Sequence, residues 1–152
     1  MDKRPDRYLN AVVAHIYVEG AANAITFYKE AFGAQEIFSV AGKDGKIMHA
    51  EIAICGSVVM IGDPGDAGVY GEPRRLGGCT AGLHLMVDDN EALLRRATAA
   101  GAEQVQPVTE MFYGATSGSV RDPFGHVWVL LSWKEDLDPA EIERRGSALL
   151  GP

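Results

Sequence analysis

Two histidines, His15 and His84, occupy equivalent places in two similar words, His15-Ile-Tyr-Val18 and His84-Leu-Met-Val87. An imidazole near neutral pH can act as a general base, ligate a metal or hydrogen-bond a neutral ligand. Glu51 and His49 lie two residues apart and add a carboxylate and a further imidazole. One reading of these groups is general acid–base chemistry. His15 or His84 would be the base and Glu51 its partner, with or without a divalent metal held by imidazole and carboxylate groups. The other reading is two neutral histidines that line an apolar pocket and hydrogen-bond a bound molecule. The remaining candidates are weaker. Cys55 and Cys79 have no metal or redox spacing and read as free thiols of a reducing cytosol, so the expected location is cytoplasmic. Ser117, Ser119 and Ser132 have no evident His/Asp partners, and no glycine-rich phosphate loop opens a helix. His126 follows a turn glycine, and the expectation is a strand-edge role outside the chemistry.

The elements that position these groups come twice. His15 and His84 are 69 residues apart, and Gly56-Ser-Val-Val-Met60 matches Gly125-His-Val-Trp-Val129 at the same offset of 69. The helix-ending glycines Gly33 and Gly101 are 68 apart. Three anchors at nearly one offset indicate two copies of a unit of about 70 residues, too few for a solenoid. In the first copy a strand is expected at about 11–18, with both faces largely apolar and therefore covered. A helix follows at 21–32, where Ile25, Tyr28 and Phe32 share a face and Gly33 stops it. Strands follow at 35–41, 46–54 and 57–62. The second copy has a strand at 82–87, a helix from about 90 with Asp88 and Glu91 as a capping box, and strands at 103–109, 117–121 and 126–133. Residues 63–80, rich in Gly, Pro and Asp, read as a linker. A last helix fits 139–149, capped by Asp138 with Pro139 at its first position. The order is βαβββ-βαβββ in an α+β protein, with units at 9–63 and 81–134 in a single domain of 152 residues.

Composition narrows the partners. At 47% hydrophobic and 23% charged the chain is an ordinary globular protein. Its net charge of −7, without a Lys/Arg cluster, disfavours nucleic acid and anionic membranes. No apolar run is long enough to cross a bilayer, and the first ten residues do not read as a signal peptide.

Several segments resemble the glyoxalase/bleomycin-resistance (vicinal oxygen chelate) superfamily. The stretch AVVAHIYVEGAANAITFYKEAFGAQEI from Ala11 is similar to the opening of such proteins, and MFYGATSGSVRDPFGHVWVLLSW to the close of their second module. With KEDLDPAEIERR at 134–145 the chain looks most like the PhnB-like branch, over residues 9–145. The resemblance implies two modules forming a curled mixed sheet around a ligand site, often completed in a homodimer. It also implies a divalent metal in many members, held by one residue from the first and one from the last strand of each module. Counted from the anchors, those places hold Val13, Met60, Gly82 and Val129. None offers N, O or thiolate donors. The expectation is therefore no metal and no cofactor; the alternative the resemblance implies is a lyase or isomerase that uses His15, His84 and Glu51, with a divalent metal displaced from those four places.

Strand parity assigns the presumed cavity face. It carries Val13, His15 and Tyr17; Val58, Met60 and Gly62; Gly82, His84 and Met86; and Val127, Val129 and Leu131. Trp128 and Leu130 have the opposite parity and should pack under the helices, and His15 and His84 could face each other across the seam. Phe112, in the loop Met111-Phe112-Tyr113, could stack on a flat ligand. The expected ligand-binding residues are His15, Tyr17, Glu51, Met60, His84, Met86, Phe112 and Val129, and the candidates for catalysis are His15, His84 and Glu51. Such a soft, mostly apolar lining suits a small organic molecule, and the resemblance implies an aromatic or antibiotic-like one that a metal-free protein sequesters.

Overall fold

A computed structural model describes residues 5–8, 12–65 and 68–150, without the side chain of residue 150. Residue 11, at the expected start of the first strand, and residues 66 and 67 of the expected linker lie outside the described residues. A 3-10 turn (Asp6–Tyr8) precedes β1 (Ala14–Tyr17), α1 (Ala21–Phe32), β2 (Gln35–Ala41), β3 (Ile47–Ile54) and β4 (Ser57–Gly62). A short α2 (Pro73–Leu76) interrupts the region read as linker. Then come β5 (Gly82–Met86), α3 (Asn90–Ala99), β6 (Glu103–Met111), β7 (Ala115–Arg121), β8 (Val127–Trp133) and α4 (Pro139–Leu150). No helix among the described residues is long and apolar enough to cross a membrane.

Each half forms its own four-stranded mixed sheet, ordered β1-β4-β3-β2 and β5-β8-β7-β6. The first and last strands of each half run parallel, and the other neighbours antiparallel. The residues of α1 explain its place. Ala21, Ala24, Ile25, Tyr28, Ala31 and Phe32 recur at helical spacing and are buried. Gly33 ends the helix at φ 69°, a left-handed conformation open to glycine, and its N–H donates to the Lys29 carbonyl. The helix start has no cap of its own, since Gly20 lacks a side chain. Asp63, just past β4, accepts from the N–H groups of Gly20 (2.7 Å) and Ala21 (3.3 Å) instead. Helix α3 is capped by Asp89, whose side chain accepts from the Ala92 N–H. That corrects the expected capping box by one residue: the backbone at Asp89 is extended, as an N-cap requires.

Helix α1 packs on α3, and the helix-facing parity of both sheets is buried with them: Ile16, Ile52, Ile61, Leu85, Trp128 and Leu130. A buried carboxylate with four donors sits in the joint between the halves. Asp122, 3% exposed, accepts from Tyr28 Oη (2.7 Å), Trp128 Nε1 (2.8 Å) and the N–H groups of Phe124 and His126 (both 2.9 Å). Burial, and then the Asp122 charge, hold the Tyr28 phenol well above its ordinary pKa, so it stays a donor. Arg96 of α3 adds hydrogen bonds to the carbonyls of Glu30 and Lys29 at the end of α1.

Candidate functional site

Register fixes what the other face of each sheet presents. His15, Met60 and Glu51 stand in one row across β1, β4 and β3. The same row in the second half is His84, Val129 and Ser119. These faces are not covered by helices. His15, His84 and Met86 are exposed, and Tyr17, Met60 and Val129 are half-buried. Phe38 and Val40, opposite Glu51 and His49 on β2, are partly open as well.

Ser119, at 4% exposure, and Glu51, at 2%, are the buried exceptions, and Glu51 is the charged one. The turn Asp6–Tyr8 lies over it, with Arg7 Nε donating at 2.7 Å and Tyr8 Oη donating to the other carboxylate oxygen. His49 Nε2 is 3.7 Å away. Burial alone would raise the Glu51 pKa, but the hydrogen bonds from Tyr8 and Arg7 outweigh it and the net direction is down. Glu51 is thus an ionised counter-charge already engaged within the chain, and the expected pairing with His15 or His84 as a base–carboxylate couple is not formed.

Aromatic rings dominate the rest of the first face. His15 stacks on Tyr17 (centroids 4.4 Å apart, 15° between planes), and Tyr17 stacks on Tyr70 (4.7 Å, 7°). His49 meets His15 edge-on at 5.4 Å and lies 5.7 Å from Phe38. Partial burial, then the neighbouring His49, lower the His15 pKa, so its ring is neutral at pH 7. Burial, then Tyr70, raise that of Tyr17.

The predicted residues fall into separate places. A cavity of about 290 Å³ at the seam is lined by His15, Tyr17, Tyr70, Cys79, Leu83 and His126. A second, also about 290 Å³, takes in His84 and Met86 with Arg7, Val13, Val58 and Trp128. His15 and His84 therefore line different cavities that share Leu83. Phe112 joins neither. It is at the β6–β7 hairpin, where a side chain at Gly146 of α4 would approach its ring to 3.0 Å. The largest cavity, about 580 Å³, lies among charged residues including Glu19, Lys46, Asp63, Glu72 and Arg75. Its two buried or half-buried carboxylates cap backbone: Asp63 as described, and Glu72 on the N–H groups of Arg74 and Arg75. The aromatic cavity is the better match to an organic ligand.

Two residues of that cavity escaped the sequence. His126 is buried rather than at an open strand edge, its Nε2 3.1 Å from the Tyr17 carbonyl and its Nδ1 3.6 Å from Cys79 Sγ. The two partners are 109 and 47 residues away, so no local pattern signals them. Tyr70 lies in the region read as linker, where glycine-rich composition hid a ring that completes the stack.

A resident divalent metal needs several N, O or thiolate donors converging on one point. The row beside Met60 offers His15 and Glu51, with His49 next to them, but Glu51 is already engaged by Arg7 and Tyr8; the row beside Val129 offers only His84 and a serine hydroxyl. Among the described residues no three His, Cys, Asp or Glu side chains converge as a metal site. The donor set does not fit such an ion.

The family model of the Glyoxalase/Bleomycin resistance protein/Dioxygenase superfamily matches residues 8–130. The uncharacterized protein Rv0887c of Mycobacterium tuberculosis is 39% identical over 136 residues, which is 88% of this chain and 80% of that protein. The structure of the Arabidopsis thaliana gene product At5g48480 superposes with a TM-score of 0.65 at 30% identity, covering 80% of this chain and 97% of that one. TioX from Micromonospora sp. ML1 shares the fold, with a TM-score of 0.64 at 24% identity over 85% of this chain and all (100%) of TioX.

Proposed function

Because the chain belongs to the glyoxalase/bleomycin resistance protein/dioxygenase superfamily, we propose that it is a small-molecule-binding protein that sequesters an aromatic, antibiotic-like compound without a resident metal. One observation carries this: the stack His15–Tyr17–Tyr70 on the wall of the seam cavity, with Tyr70 at its outer end 60% exposed. A planar ligand extends a stack already in place, and aromatic pairs contribute about 0.5–1.5 kcal/mol each beyond the area they bury. Leu83 and Leu76 supply an apolar floor, and the neutral His15 supplies a hydrogen-bonding edge. A cavity of about 290 Å³ suits one or two fused rings.

Glu51 is the reason binding is favoured over acid–base turnover. A general base gains from a free carboxylate beside it, and this one is held by Arg7 and Tyr8. We also propose that the protein works as a homodimer in the cytoplasm, the partly open apolar residues Phe38, Val40, Met86 and Trp133 being covered by a second copy.

The test is a fluorescence titration with planar aromatic compounds, N-phenylsuccinimide among them, alongside elemental analysis and light scattering of the native protein. Saturable binding that Tyr17→Met weakens, no stoichiometric metal and a dimer mass are expected. Absence of saturable binding by any aromatic compound refutes the reading, and a stoichiometric bound metal refutes its metal-free form.

A further inference from the structure

The seam cavity is also lined by a thiol and an imidazole that the binding function leaves unused. The His126 ring has both nitrogens assigned by their neighbours. Nε2 faces the Tyr17 carbonyl at 3.1 Å, and a carbonyl only accepts, so Nε2 carries the proton. Nδ1 is then the lone-pair nitrogen, and it faces Cys79 Sγ at 3.6 Å. The imidazole is 9% exposed, whereas Cys79 is half-buried and lines the cavity. A nucleophile, a base and a group that orients the base are therefore in sequence, with room for a reactant beside the sulfur. The Tyr17 carbonyl would also stabilise the ring once it is protonated.

We propose that Cys79 is an activated thiol that captures soft electrophiles, α,β-unsaturated carbonyl compounds on an aromatic carrier, by conjugate addition. Sγ forms a bond to the β-carbon while the carbon–carbon π pair moves toward the carbonyl. The thiol proton passes to His126 Nδ1 and from there to the α-carbon. Nothing is oxidised, nothing leaves, and His126 returns to its starting form. The aromatic carrier rests on the binding function proposed above; the reactivity of the thiol does not.

Cys55 gives an internal clock in the same molecule. It is exposed, in the β3–β4 turn, and partial burial of its sulfur pushes its thiol pKa up. Labelling by N-ethylmaleimide at pH 7.5, followed site by site by mass spectrometry, should modify Cys79 on the order of tenfold faster than Cys55. His126→Gln keeps a donor for the Tyr17 carbonyl and removes the base. It should bring Cys79 down to the Cys55 rate while Cys55 and the melting temperature stay put. Equal rates in the unaltered protein, or a Cys79 rate indifferent to His126→Gln in a folded variant, overturn the proposal. N-phenylmaleimide should widen the preference for Cys79, and its unreactive analogue N-phenylsuccinimide should protect that thiol. Binding of N-phenylsuccinimide with an inert Cys79 sinks the capture chemistry alone. A fast Cys79 without saturable binding supports the capture chemistry and sinks the aromatic pocket.

Discussion

The two halves share a topology, yet their uncovered sheet faces have different chemistry. Where the first half presents His15, Tyr17, His49, Glu51 and Met60, the register of the second places His84, Met86, Ser117, Ser119 and Val129. The buried faces stay largely alike, aliphatic on both sides apart from Trp128 and Ser132. Packing against a helix constrains volume and polarity at every position, whereas an open face can change without cost to the fold. Under the proposed binding function the difference divides the roles: the first half would recognise the ligand, and the second would supply a soft, weakly polar counterpart and the buried His126.

The hardest blow to this comparison is struck at what the halves have in common. Asp122→Ala removes the acceptor of four donors, two of them buried side chains, and should cost about 3–5 kcal/mol in urea unfolding. The variant should still unfold in one transition, and two separable transitions would show that the halves are independent bodies. Tyr17→Met puts the second half's residue into the first and breaks the ring stack at its centre. Affinity for a planar aromatic ligand should drop about tenfold by titration calorimetry. The reciprocal Met86→Tyr should add little, because no ring equivalent to Tyr70 lines the cavity that holds Met86.

Glu51→Ser copies Ser119 and releases Arg7 and Tyr8, with an expected loss of about 1 kcal/mol at pH 7. The Glu51 pKa is depressed on folding, so its stabilisation is complete above the ordinary value of 4.5 and fades as the pH falls through the folded value. Glu51→Ser should therefore flatten the stability profile below about pH 4.5, as measured by melting temperature against pH. His15 has the same sign, its contribution fading as the pH falls below the ordinary 6.5. Phe112→Leu should leave ligand affinity within about twofold, since the ring is outside both seam cavities. A larger change would mean that the β6–β7 hairpin takes part in binding.

Periodicity and repetition made the fold legible. The α1 boundaries, the order of elements along the chain and the two parities follow from alternation and from glycine stops, all of which are local. The burial of Trp128 and Leu130 followed from parity in the same way. The site was only half legible. His15 and Tyr17 share a strand face, so their contact is local. Tyr70, Cys79 and His126 reach the same cavity by chain excursions that no periodic pattern encodes. The fate of Glu51 depends on Arg7 and Tyr8, which are 44 and 43 residues away and precede any element with a detectable pattern.

The Asp122 junction also bears on ancestry. The carboxylate in the second copy's turn accepts from a phenol in the first copy's helix, so neither copy is self-sufficient at that point. An isolated amino-terminal half would lose the acceptor of Tyr28 and uncover the rings of Tyr28 and Phe32 that pack on Phe124 and Trp128 of the other copy, and a fragment or engineered half-protein would have to pair with a second half or replace those rings.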